Sequence, residues 1–209
     1  MKWKEIIVTS IAVIILIGGY CSLFAFILLS KSSVEDLLII TILTAILGPI
    51  GLIIVSGTKI IKKHPPLIAE EAKDVAISPL DYFTWGHIAF GVLSFLVDLI
   101  FIVVLSLEPG LLLWWSIILT LILIGTSWDL IENTLFIEIG IKFENRRDST
   151  VNVFSDVLFV CVGGLLLLGI YLLTGLRFDS TIIAGIVILV ICGILFVIRS
   201  RMVVKKRKK

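Results

Sequence analysis

The stretch Trp128–Gly164 reads WDLIENTLFIEIGIKFENRRDSTVNVFSDVLFVCVGG and gathers polar residues into one part of a very apolar chain. Its acids and amides that border or enter apolar segments are Asp129, Glu132, Asn133, Asn152 and Asp156. A charged side chain at the centre of a bilayer costs about 2.5–3.5 kcal/mol on insertion scales. These groups therefore either form hydrogen bonds and ion pairs with one another or take part in binding or catalysis.

The rest of the chain has the composition of an integral membrane protein. Of its 209 residues, 59% are hydrophobic and 16% are charged. Apolar blocks of roughly 20 residues, the length that a hydrocarbon core of about 30 Å requires, predict an all-α, polytopic protein with six transmembrane helices in one bundle. The chain is interpreted as a single domain, 1–209. The predicted spans are 6–29, 37–60, 83–105, 111–131, 151–173 and 182–198.

The distribution of basic residues predicts the orientation of the spans. The N-terminus, the loops 59–79 and 142–148, and the basic tail 199–209 together hold 16 of the 18 Lys and Arg residues. By the positive-inside rule, both termini of a multi-pass protein in the cell (plasma) membrane are expected to be cytoplasmic. In the loop 59–79, residues 67–77 mix apolar and charged side chains, which fits a short surface helix or a plain loop.

The third predicted span adds a polar stripe that reaches the same depth. His87, Gly91, Ser94 and Asp98 have spacings that put them on one face of a helix. At about 1.5 Å per residue, His87 stays on the cytoplasmic half, at the level of the acids of the stretch Trp128–Gly164. Asp98 lies about eleven residues further along, towards the opposite leaflet. We therefore expect His87 to meet the acids and Asp98 to lie apart.

The predicted acid cluster has two functional interpretations and one structural interpretation. A histidine with carboxylates can bind a divalent cation, with His87, Glu132 and Asp156 as ligands, or can hold a shared proton. His87, Asp129, Glu132 and Asp156 are then the candidate catalytic acids and bases. In the structural interpretation these groups only hydrogen-bond between helices, at about 0.6 kcal/mol per contact. That interpretation suits Asn133 and Asn152 better than four ionisable side chains.

The loop before the fifth span suggests an anion site. Arg146 and Arg147 precede Asp148 and Ser149, either of which can cap the next helix. Free N–H groups at that helix start, beside two arginines, favour a phosphate. The alternative is that the arginines only obey the positive-inside rule and pair with neighbouring acids. The candidate substrate-binding residues are Arg146, Arg147, Asn133, Asp148, Ser149 and Asn152.

These motifs resemble a family of bacterial integral-membrane proteins that is defined only as a conserved domain of unknown function. The family pattern is W-E-x-x-E-N-S, then G-D-S-x-x-N-S-x-S-D and a glycine, and 128–134 and 148–156 are similar to it. Its upstream S-H-x-x-H-G is similar to 86–91, although Phe90 stands at the second histidine and Arg147 replaces the glycine before Asp148. A more distant resemblance is to VanZ-like membrane proteins. The resemblance supports the choice of site residues without implying a reaction.

Three functions follow from these observations. The first is an enzyme or binding protein for a phosphate-bearing or otherwise anionic lipid at the cytoplasmic boundary of the membrane. The second is a small proton- or ion-coupled transporter that uses Asp98 and the cytoplasmic acids. The third is a structural or partner-binding membrane protein. Membrane lipids are the expected partners, a divalent cation is the candidate cofactor, nucleic acid is not expected, and a homo-oligomer is compatible with the sequence.

Overall fold

The computed structural model of the chain describes residues 65–107, 110–137 and 139–206. Four long helices account for most of these residues: α1 (Thr84–Val104), α2 (Leu111–Ile131), α3 (Thr150–Leu173) and α4 (Phe178–Lys206). Each contains a segment long and apolar enough to cross a membrane. The all-α fold and the last four predicted spans are thus confirmed, whereas the predicted spans 6–29 and 37–60 lie outside the described residues.

Burial differs between the helices in the way their composition requires. The apolar window of α4 has a mean hydropathy of 3.2 and only 17% of it is buried, whereas that of α2 has a mean hydropathy of 1.6 and is 67% buried. A helix that is apolar all round can face lipid, but a helix with polar residues must turn them towards protein. The high burial of α2 therefore follows from its own Ser, Thr and Asp residues.

Close contact of α1 with α3 fixes the middle of the bundle. A Cβ atom at Gly91 would collide with the carbonyl oxygen of Val160, and one at Gly163 would collide with that of Ile88. Small residues let two helix backbones approach in this way. The contact lies one to two turns from His87 on α1 and from Asp156 on α3, so it holds those two side chains at a fixed separation.

One end of the bundle, called here the polar end, contains the start of α1, the end of α2 and the start of α3. There α2 continues into a π-helix, Glu132–Phe136. The carbonyl oxygen of Phe136 then accepts hydrogen bonds from the N–H groups of Ile141 and Lys142, at 3.0 and 3.1 Å. A short 3₁₀ turn, Phe143–Asn145, leads towards α3. The widened π turn and this tight reversal bring the loop back over the end of α2.

The segment 65–83 covers the polar end before α1 begins. It contains one 3₁₀ turn, Ala72–Asp74, so the loop interpretation of residues 67–77 describes it better than a surface helix. The Ala69 N–H donates to the Leu80 carbonyl at 2.7 Å and closes the segment on itself. The Arg199 guanidinium of α4 donates to the Ala69 carbonyl at 3.2 Å. The segment is thus folded against the bundle.

Candidate functional site

Three buried aspartates meet at the polar end and form what is called here the carboxylate cluster. Asp129 lies in the last turn of α2, Asp148 precedes α3, and Asp156 lies on the second turn of α3. One carboxylate oxygen from each lies within 4.8 Å of the others. Their exposed fractions are 0%, 3% and 4%, so water does not separate these like charges. The cluster is therefore a place of concentrated negative charge that must be compensated.

Asp129 is the least compensated member of the carboxylate cluster. Both of its carboxylate oxygens are buried, and neither has a hydrogen-bond partner among the described residues. A buried polar group without a partner costs about 1–3 kcal/mol, and more when it is charged. Asp129 therefore has two oxygen ligands available inside the protein.

Lys142 and Asn133 organise the other side of the cluster. The Lys142 ammonium forms a buried ion pair with Asp148 Oδ2 and donates to Asn133 Oδ1 at 3.1 Å. Asn133 Nδ2 donates to the same Asp148 oxygen at 2.7 Å, and Asn133 Oδ1 accepts from the Asp148 N–H at 2.8 Å. The π turn presents Asn133 to all these partners at once, and π turns often occur at functional sites.

The electrostatics of this network keep the lysine charged. Burial alone would lower the pKa of Lys142, but Asp148 and Glu132 outweigh it and the pKa is raised. Burial raises the pKa of Asp148, and the ammonium of Lys142 opposes that shift. Lys142 is thus a permanent cation, and it compensates one carboxylate of the cluster.

His87 approaches the cluster from α1. Its Nε2 atom lies 3.4 Å from Asp156 Oδ1, and both side chains are buried. That carboxylate oxygen has no hydrogen-bond partner within the described part of the chain, so the contact is a close approach without hydrogen-bond alignment. Glu132 Oε1 lies 3.7 Å from Lys142 Nζ on the other side. The predicted meeting of His87 with the acids is therefore present in the structure.

A pocket of about 390 Å³ opens beside these residues, between α1, the end of α2 and the loop 141–143. Its polar floor consists of His87, Glu132 and Lys142. Its apolar walls are formed by Phe83, Ala89, Phe90, Leu93, Trp128, Phe136, Ile141 and Phe143, with Gly86 at one edge. The Phe90 and Trp128 rings pack at 4.9 Å between centroids. Phe90 thus belongs to an apolar wall of the pocket.

The N-terminal end of α3 is hydrogen-bonded to other parts of the same chain. Ser149 is the N-cap, as one of the two predicted alternatives, and its Oγ accepts from the Asn152 N–H at 3.1 Å. The Ser149 hydroxyl donates to the Ile77 carbonyl at 2.8 Å, and Asn152 Nδ2 donates to the Ser78 carbonyl at 3.0 Å. Residues 76–78 therefore contact the start of α3, and the N–H groups of Ser149 and Asn152 are already hydrogen-bonded within the chain.

The two arginines that were predicted to bind an anion have different environments. Arg146 donates to the carbonyls of Ala72 and Lys73, at 3.2 and 2.9 Å, and pairs with Glu144. Arg147 is exposed. Arg146 thus holds the segment 65–83 in place, which is closer to the structural interpretation of these residues than to an anion clamp.

The structure divides the sequence-predicted residues into three groups. Asp129, Asp148 and Asp156 form the cluster, with Asn133 and His87 in contact with it. Glu132 and His87 line the pocket, and of the predicted metal ligands only Asp156 belongs to the group of three close carboxylates. Ser149, Asn152 and Arg146 bind main-chain groups of the segment 65–83.

Two residues of the site were missed from sequence. In the sequence Lys142 is one of three basic residues of the loop 142–148, and only the folded loop shows that it is buried. Asp81 is buried and accepts from the N–H groups of Ala76 and Phe83 at 3.2 and 2.8 Å. Burial raises the pKa of Asp81 to about 6, with the N–H donors opposing the shift. Asp98, by contrast, lies deeper in α1 with a buried, unpartnered Oδ2, as far as the described residues show.

No family model, curated protein or solved structure matches this chain. The resemblance to the bacterial membrane family and to VanZ-like proteins therefore stays a prediction.

Proposed function

We propose that the pocket at the polar end binds a membrane amphiphile with a phosphate-bearing headgroup. The observation that carries the proposal is the joining of aromatic walls to a floor of His87, Glu132 and Lys142 in one open pocket. Ligand sites usually combine apolar walls with a few placed polar groups. In this proposal an acyl chain lies along the walls, which include the half-exposed Leu93, and a headgroup contacts the floor.

The floor also supplies the elements of acid–base chemistry. His87 Nε2 lies beside Asp156, which is buried behind it. A carboxylate beside an imidazole is a recurring arrangement in general-base catalysis, and the hydrogen bond between them often aligns only when the ligand binds. In this proposal His87 contacts the headgroup, Asp156 positions His87, and Glu132 is the second acid–base group.

The location of the pocket is part of the proposal. The distribution of Lys and Arg supports a six-span protein whose polar end faces the cytoplasm. Cysteines introduced at Asn145 and at Arg177, which lie at opposite ends of the described bundle, test this orientation. A membrane-impermeant maleimide should label Arg177→Cys in intact cells and Asn145→Cys only after permeabilisation. The reverse pattern would refute it.

The test of amphiphile binding is lipid analysis of the purified protein. Ala89→Trp fills the pocket and should remove the co-purifying lipid, whereas Leu173→Trp adds the same side chain at a position that is 90% exposed. Glu132→Ala should also reduce bound lipid or its turnover in a protein that remains folded. Equal lipid content in wild type, Ala89→Trp and Leu173→Trp would refute binding in this pocket.

Coupled transport is a second candidate, because Asp98 places a carboxylate oxygen without a hydrogen-bond partner inside α1, as far as the described residues show. Unpaired acids within a membrane helix often mark ion or proton pathways. Proton or cation flux into proteoliposomes that is lost in Asp98→Asn would favour transport. Absence of flux with retained lipid binding would favour the first candidate.

A further inference from the structure

We propose that Asp129, Asp148 and Asp156 bind a hard divalent cation, Ca²⁺ or Mg²⁺, and that its occupancy promotes binding of an anionic headgroup in the pocket. The headgroup part rests on the proposed function, and the cation site does not. The three ligands come from the end of α2 and from the start of α3, so the ion would join two helices.

The spacing of the oxygens fits such an ion. One oxygen of each residue lies within 4.8 Å of the other two. Three oxygens within 4.8 Å of one another leave a point that lies within about 2.8 Å of all three. The metal–oxygen bonds are about 2.3–2.6 Å long for Ca²⁺ and about 2.0–2.1 Å long for Mg²⁺. Ca²⁺ therefore fits this limit with little movement, and Mg²⁺ fits with a contraction of the cluster.

Asp129 gives independent support for a ligand. Its side chain is completely buried, and both carboxylate oxygens lack a hydrogen-bond partner within the described ranges, while one of them points into the cluster. Asp156 Oδ1 is likewise buried without such a partner there. A protein seldom buries ionised oxygens in this state unless a proton or a cation completes them.

The charge balance also calls for a cation. Lys142 is the one Lys or Arg side chain within the described residues that forms an ion pair with a member of the cluster. When they are ionised, three carboxylates with one ammonium leave two negative charges, and Glu132 on the other side of Lys142 adds a third. A divalent ion removes two of these three charges. Both Lys142 and Asn133 contact Asp148 through the same oxygen, Oδ2, so neither of these bonds uses Oδ1.

Two residues of the pocket floor would couple the bound ion to the pocket. His87 contacts Asp156 and Lys142 contacts Asp148, and both also line the pocket. Without the ion, the carboxylate cluster keeps a net negative charge and repels an anionic headgroup in the pocket. With the ion bound, that repulsion falls, and linkage requires each ligand to tighten the binding of the other.

The first experiment measures cation binding to the full chain in detergent after treatment with a chelator. Titration calorimetry and thermal unfolding are recorded with CaCl₂ and with MgCl₂ for wild type, Asp129→Asn and Asp156→Asn. The control is Asp179→Asn, which removes an exposed acid from the start of α4. Wild type and Asp179→Asn should bind and be stabilised, whereas the cluster variants should bind at least tenfold more weakly.

Thermal unfolding without cation separates a site from a folding defect. Asp129→Asn should then be at least as stable as wild type, because it removes an unpartnered buried charge. No cation binding by wild type, or equal binding by Asp129→Asn, would overturn the site and assign the cluster to shared protons.

The second experiment tests the coupling to the pocket. Binding of a short-chain phosphatidic acid is measured with and without Ca²⁺ in wild type and in Asp129→Asn, which controls for direct association of Ca²⁺ with the lipid. We expect Ca²⁺ to tighten binding at least fivefold in wild type only. An affinity for the lipid that does not change with Ca²⁺ would refute the coupling and leave the proposed function standing. Cation binding without lipid binding would refute the proposed function and leave the cation site standing.

Discussion

Replacing Lys142 with Met tests whether the buried lysine holds the polar end together. The side chain is 3% exposed and contacts Asp148, Glu132 and Asn133. Removing one partner of a buried ion pair costs about 3–5 kcal/mol, because the other partner keeps its buried charge. Met retains the length and apolar stem of the lysine, so the loss should come from the ammonium. We therefore expect Lys142→Met to lose about 3–5 kcal/mol of unfolding free energy.

The matched control is Lys73→Met at the surface. Lys73 Nζ lies 2.7 Å from Glu71 Oε2, and the two side chains are 71% and 53% exposed. Exposed ion pairs contribute about 0–1 kcal/mol. Both variants lose one lysine and its ion pairing, so the difference between their losses of unfolding free energy reports the effect of burial.

The assay is reversible unfolding in mixed micelles, with a double variant to identify the cause. Asp148→Asn removes the charge that Lys142→Met leaves behind, and its Oδ1 can still accept from Asn133. The double variant should therefore recover at least half of the stability lost by Lys142→Met. The reasoning fails when Lys142→Met costs no more than Lys73→Met, or when Asp148→Asn adds a further loss in the Lys142→Met background.

Three further predictions concern the supports of the site. Gly163→Ala should lose about 1–3 kcal/mol because its Cβ meets a carbonyl of α1, whereas Gly169→Ala, with nothing within 4 Å, should not destabilise the protein in the same unfolding assay. Arg146→Gln should speed hydrogen exchange in the segment 65–83, and Arg147→Gln should leave it unchanged; equal rates would contradict the contact. Since the folded pKa of Asp81, about 6, exceeds its ordinary 3.8, its stabilising contribution is complete below about pH 3.8 and is lost as pH rises through 6. The loss is about 3 kcal/mol, and Asp81→Asn should flatten that part of the measured pH profile.

The membrane helices could be predicted from sequence because one strong physical requirement sets them. The predicted span 151–173 and the observed helix Thr150–Leu173 differ by one residue. A length of apolar chain that crosses the hydrocarbon core leaves little freedom in where a helix lies. The end of α2 was less predictable, because the π turn depends on contacts that Asn133 and Phe136 make with the following loop.

The acids of the site could be found from sequence, but their partners could not. Asp129 and Asp156 are conspicuous because acids are rare in apolar segments. Lys142 has the same residue type as many loop lysines, and only the folded loop buries it. The role of Ser149 as the N-cap of α3 was also predictable from sequence. The cover of that helix start by residues 76–79 was not, because it arises from contacts between distant parts of the chain.

That cover has a consequence for the order in which the protein is made. The hydroxyl of Ser149 and the amide of Asn152 bind carbonyls that lie 72 and 74 residues earlier in the chain. At a synthesis rate of about 5–20 residues per second, roughly 4–15 s separate the two halves of this contact on the ribosome. The segment 65–83 must therefore wait, with these carbonyls unoccupied by their final partners, until α3 has been inserted beside it.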